Sequence, residues 1–118
     1  MSGLFESNSL PICIQMDTIS VYTVLRSKEF NEWLTALKDA KGKARIIARI
    51  RSAEHGNLGD VQPVGGDISE MRIHFGPGYR VYFTQRGKLL ILLLVGGDKS
   101  SQKRDIKKAK SLADGLED

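Results

Sequence analysis

Residues 70–83 read EMRIHFGPGYRVYF. Met71, Ile73 and Phe75 alternate with Arg72 and His74, the period of two expected of a strand that buries one face. Gly76-Pro77-Gly78 then supplies residues suited to a turn. Tyr79, Val81 and Phe83 resume the alternation against Arg80, Tyr82 and Thr84. Closed as a hairpin, the two segments gather Arg72, His74, Arg80 and Tyr82 on the face away from the core. Two guanidiniums, an imidazole and a phenol in one place suit a polyanion.

The next segment, LLILLLV from Leu89 to Val95, has no polar alternation. Such a run predicts a strand buried on both faces and therefore central in its sheet. Gly96-Gly97-Asp98-Lys99 ends it, and Ser100 or Ser101 is expected to cap a last helix reaching about Leu116. Ile106, Ala109, Leu112, Ala113 and Leu116 form the inner stripe of that helix, with Lys103, Arg104, Lys107, Lys108 and Lys110 outside. Before the hairpin, the Gly-rich stretch His55–Asp67 predicts a short strand near Val61–Val64, and Pro63 places it at a sheet edge.

Further upstream, ISVYTVL (Ile19–Leu25) reads as a strand, and Ser27 as the N-cap of a helix over Lys28–Lys38. Phe30, Trp33, Leu34 and Leu37 form its apolar stripe. A second helix follows to about Glu54, apolar at Ala44, Ile46, Ile47, Ile50 and Ala53, with Lys41, Arg45 and Arg49 opposite. So short a connection predicts an αα-hairpin. The expected order is β-α-α-β-β-β-β-α, an α+β domain over residues 16–118 with a largely antiparallel sheet. Residues 1–15 show no clear period and are expected to be a flexible extension, with LPICI as an alternative edge strand.

With 118 residues the chain suits one domain. Its net charge of +4 permits an anionic partner without requiring one. The one cysteine, Cys13, excludes an intramolecular disulfide, which fits a cytoplasmic setting. The seven apolar residues Leu89–Val95 are far short of the roughly 20 a membrane helix needs.

The acids Asp60, Asp67, Glu70, Asp98 and Asp105 are scattered, and neither histidine has a partner at the spacing a metal requires, so no metal and no cofactor are expected. No P-loop, GxGxxG or nucleophile-elbow spacing occurs. A solvated helix face explains any one basic stripe on its own. The sheet arginines are harder to explain that way, and their bland alternative is an ion pair with Glu70, Asp67 or Asp98. His74 reads either as a base or as a strand histidine bonded to a neighbour. What remains is phosphoryl chemistry by positioning: RNA carries its own nucleophile, the 2′-hydroxyl, and needs in-line geometry with cations on the nonbridging oxygens. Tyr82, or Tyr79, offers a ring to stack on a base. The same face suits plain binding equally well.

The segments KEFNEWLTALKDAKGKARIIARI, GNLGDVQPVGGDISEMRIHFGPGYRVYF and LLLVGGDKSSQKRDIKKAKSLADGL together resemble the RelE/ParE superfamily of type II toxins, nearest its HigB-like, phage Gp49-like addiction-module branch. The resemblance covers about Asp17 to Leu116. It implies a small twisted sheet carrying an N-terminal αα-hairpin and a C-terminal helix. It also implies a cognate antitoxin, typically a helix-turn-helix protein encoded alongside. For many members it implies metal-independent mRNA cleavage on the ribosome. Carried over by motif, Arg80 in GYR and Arg72 on the adjacent strand would hold the scissile phosphate, with Lys99 as a further cation. Lys41, Arg45, Arg49, His74, Tyr82, Lys103, Arg104 and Lys107 would then meet RNA or the ribosome. The chain departs from the cleaving members in having no tyrosine or histidine after Tyr82. That departure leaves room for the ParE-like alternative, a non-enzymatic toxin that binds DNA gyrase or another essential protein.

Overall fold

The computed structural model describes residues 5–7, 22–87 and 90–116. In chain order the elements are β1 (Phe5–Ser7), β2 (Thr23–Ser27), α1 (Lys28–Ala36), α2 (Ala40–Glu54), β3 (Val61–Gly65), β4 (Ile68–Ile73), β5 (Tyr79–Arg86), β6 (Leu90–Asp98), a 3-10 turn (Lys99–Ser101) and α3 (Gln102–Asp114). The sheet runs β1-β2-β6-β5-β4-β3. All neighbours are antiparallel except β2 and β6, which run parallel from Thr23↔Leu90 to Arg26↔Leu93.

The apolar run does become a strand flanked on both sides, β6 between β2 and β5, and Pro63 does lie on an edge strand, β3. One expectation changes. Phe5–Ser7, inside the expected flexible extension, pairs with Leu25–Ser27 and covers the otherwise open edge of β2. The alternative edge strand, LPICI, lies outside the described residues.

Two helices start where their caps allow. The Ser27 hydroxyl accepts the Phe30 amide and also donates to Leu94 O at 2.6 Å, tying the first helix to the central strand. Asp39 caps α2 through the Gly42 amide. Ser101 does stand at the N-cap of α3, as expected, but its side chain makes no capping hydrogen bond there; Asp98 caps the 3-10 turn that leads into the helix. Its carboxylate accepts the Ser100 amide at 2.9 Å, and Ser101 Oγ reciprocates on the Asp98 backbone.

Both faces of the sheet are covered. Phe30 and Leu34 of α1 and Ile46, Ile50 and Ala53 of α2 share one cluster with Val24, Met71, Ile73, Tyr79, Val81, Phe83, Ile91 and Leu93. Ala44, expected in that stripe, is exposed. On the other face Ala109 and Ala113 of α3 pack with Ile68, Tyr82, Leu94 and Val95. The face read as lying away from the core is therefore a second, smaller core along part of its length. The inner stripe expected of α3 is the one that packs here, with Ile106, Leu112 and Leu116 partly buried against the cluster.

Candidate functional site at the head of the sheet

The period of two that groups Arg72 with Arg80 also places Glu70 and Tyr82 beside them, because β4 and β5 pair Arg72↔Arg80 and Glu70↔Tyr82. Two arginines directly opposite repel each other. Glu70, fully buried, answers both. Its Oε1 accepts Arg72 Nε at 2.8 Å and Arg80 Nη1 at 3.1 Å, and its Oε2 accepts the Tyr82 hydroxyl at 3.1 Å and Gln102 Nε2 at 2.7 Å. Burial alone would push this carboxyl up. The hydrogen bonds from Arg72, Gln102 and Tyr82 with the charge of Arg80 outweigh it, so Glu70 sits below the usual glutamate range. The bland alternative for the arginines is thus realised in part. It does not consume them. Arg72 engages through Nε and keeps 35% of its side chain exposed; its terminal nitrogens find no acceptor among the described residues.

Tyr82 has no exposed surface, and burial beside Glu70 raises its hydroxyl far above the ordinary tyrosine range. It presents no ring to a base, which corrects its expected stacking role. Tyr79 is also buried; its hydroxyl donates to Asp39 Oδ2 at 2.7 Å, and its pKa is pushed up to about 12, by burial first and Asp39 second. Arg49 is corrected as well. Its guanidinium turns from the exposed stripe to bond the carbonyls of Arg72, Leu58 and, at 3.5 Å, Asp60, locking α2 to the segment before β3 and to β4. Desolvation lowers its pKa. Lys41 and Arg45 do stay exposed, and Arg45 lies 4.6 Å over the Phe75 ring. His74 lies one residue past β4 and pairs at 2.6 Å with Asp60, the strand histidine bonded to a neighbour; that hydrogen bond is the main reason Asp60 titrates low.

Lys99, Lys103, Arg104 and Lys107 are exposed around the start of α3, with Arg104 Nε 3.5 Å from the buried Asp105. The two glycines of the GGD segment explain the close approach there. A Cβ on Gly96 would meet the Trp33 ring at 2.2 Å, and one on Gly97 would meet Asp105 Oδ2 at 1.9 Å. Strand β6 therefore threads between an indole on one face and a carboxylate on the other. Of the three acids offered as ion-pair partners for the arginines, Glu70 is the one that pairs with both, and it shares the parity of Arg72. Gln102 and Trp33 come from distant elements and carry no local signal for this site. Among the described residues no group of three or more possible metal ligands forms, and no helix is long and apolar enough to cross a membrane.

The family model described as Phage derived protein Gp49-like (DUF891) matches residues 32–115. The chain belongs to this family. Its match takes in α2, the arginine hairpin, GGD and the whole of α3. An uncharacterized protein of Haemophilus influenzae strain Rd is 48% identical over 99 residues, spanning 84% of the Gp49-like chain and 97% of that relative. No solved structure gives a significant match.

Proposed function

We propose that this Gp49-like protein is the toxin of a toxin–antitoxin pair and acts by cutting translated mRNA on the ribosome. The observation that carries the reading is the Arg72–Arg80 pair, held side by side on neighbouring strands by one buried carboxylate. A guanidinium fixed through one edge keeps its remaining N–H donors at a defined angle, as a nonbridging phosphate oxygen requires. In the reaction the 2′-oxygen attacks phosphorus in line, the bond to the 5′-oxygen breaks, and a cyclic phosphate remains. Arg72 and Arg80 stabilise the charge that develops on the phosphoryl oxygens, and Lys99 adds a cation from the α3 side. Lys41, Arg45, Lys103, Arg104 and Lys107 supply the exposed basic surface for ribosomal RNA. The cytoplasm is the setting this requires, and the expected inhibitor is an antitoxin encoded alongside.

A second reading is favoured by one observation. Tyr82 is buried and no tyrosine or histidine follows it, so the described site has no exposed aromatic acid where the cleaving relatives are expected to have one. On that reading the protein binds an essential protein, such as gyrase, through the same basic rim.

Induction in bacteria with 5′-end mapping of transcripts within minutes separates the two. Codon-phased cuts confined to translated messages, lost with Arg80→Ala, establish cleavage. Growth arrest with intact mRNA establishes the second.

A further inference from the structure

Strand β2 stops before β6 does. Their pairing ends at Arg26↔Leu93, and Ser27 turns into α1 while β6 continues to Asp98. From Val95 onward no strand of the described residues flanks the β2 side of β6. A groove of about 700 Å³ opens there, walled by the indole of Trp33, floored by Gly96, Gly97 and Asp98, and rimmed by Lys99 and Lys103. Its size is that of a small-molecule site.

Its chemistry is specific. The Asp98 amide turns away from β5 to Ser101 Oγ. With Leu94 O accepting the Ser27 hydroxyl two residues earlier, the alternation of a strand sets the N–H and C=O of Gly96 on the side away from β5, and Gly96 lines the groove. A donor and an acceptor presented side by side by one residue match the edge of a nucleobase. Trp33 is half-buried, and its indole N–H finds no acceptor among the described residues. Lys99 and Lys103 are exposed at the rim, and the one acid in the floor, Asp98, is already occupied by its own turn. Arg80 lies directly across the ladder from Gly97.

We propose that this groove binds one nucleotide of a single-stranded RNA, its base against Trp33 and the free edge of Gly96, its phosphate between Lys99 and Lys103. The inference deepens the cleavage reading and rests on it for the identity of the ligand. The groove sets which nucleotide lies next to the phosphate held at Arg80, so base preference is decided by a strand edge and an indole. An acidic peptide pairing with β6 is the competing occupant; the short free edge, closed off by α3 after Asp98, disfavours it.

Trp33 is the one tryptophan in the chain, so indole fluorescence comes from the wall of this groove. The probe is a short, unstructured 2′-O-methyl oligoribonucleotide, which cannot be cut, titrated into the full chain. The expected result is saturable quenching, with affinity reduced about tenfold or more in Lys99→Ala/Lys103→Ala and a salt slope shallower by about one, for the single phosphate that the two lysines hold. Both side chains are exposed, so folding is retained. Binding detected by anisotropy with no change at Trp33 overturns the proposal, as does equal quenching by poly-glutamate. The outcomes separate from those of the cleavage reading: message cleavage in cells without quenching overturns the groove alone, and quenching without cleavage supports the groove while removing the nuclease.

Discussion

Gly97 on β6 and Asp105 on α3 approach so closely that a methyl group on the glycine would sit 1.9 Å from the carboxylate oxygen Oδ2. Asp105 is itself buried and accepts the Ser101 hydroxyl, so it has little room to give way. Gly97→Ala is expected to destabilise the protein by about 1–3 kcal/mol or more, the range for overpacking a filled site. Urea unfolding measures it. Gly65, where a Cβ meets only Lys110 and the strain is conformational, is a poor control; exposed Ala48 replaced by Ser serves better, with a change near zero.

Glu70→Gln keeps the shape and removes the charge between two arginines. Breaking a buried pair by removing one partner costs about 3–5 kcal/mol, and the rest of the hydrogen-bond set at Gln102 and Tyr82 softens the loss. The expected outcome is a folded but clearly weakened protein. A Glu70→Gln/Arg80→Met double variant, which keeps an acceptor for Tyr82 and removes the more buried of the two arginines, regains part of the stability. If the double variant is no more stable than Glu70→Gln, the Arg80 pair is not the cause.

The pH dependence follows from the same carboxylate. Its folded pKa lies below the ordinary value of 4.5. The unfolded chain then binds the proton more readily, so the stability from Glu70 is fully present above about pH 4.5 and is lost as pH falls through the folded value. Denaturant midpoints measured downward from neutral pH should fall below that point, and Glu70→Gln should flatten part of the decline.

At the alkaline end Tyr79 gives the opposite sign. With a folded pKa near 12 against an ordinary 10.0, its contribution is complete below 10.0 and lost as pH rises through 12. Ultraviolet titration should find a tyrosine that ionises late. Asp39→Asn should bring it to lower pH, since the carboxylate accepts its hydroxyl hydrogen bond.

Tyr82→Phe removes one donor of four from Glu70 and no exposed ring. It should cost about 1 kcal/mol of stability and leave RNA binding unchanged. A large loss of RNA affinity in a folded Tyr82→Phe protein would restore the stacking role that burial denies it.

Much of the framework was legible because it depends on local pattern. The alternation at Met71–Phe83, the unbroken run before Gly96 and the edge proline each led to the right strand in the right place. Arg72 and Arg80 were paired correctly for the same reason. Less legible were features set by tertiary neighbours. Arg49 sits on a basic stripe by sequence, yet three carbonyls from two other segments take its guanidinium. Tyr82 looks solvent-facing by parity, and only the small residues Ala109 and Ala113 of a helix distant in the chain reveal the lid over it. Trp33 belongs to an apolar stripe, and its place at a groove depends on where a neighbouring strand happens to end.

The parallel seam between β2 and β6 has a consequence during synthesis. Ser27 and Leu94, joined by a hydrogen bond, are 67 residues apart in the chain. Both core helices and all of β2 therefore leave the ribosome with their central partner still unmade, and contacts of such long range are slow to close. The arginine hairpin is also translated before β6, which flanks it, and before α3, which covers it. A nascent copy thus emerges with its arginine pair unfinished, and the set of bonds around Glu70 is completed only when residue 102 delivers its amide.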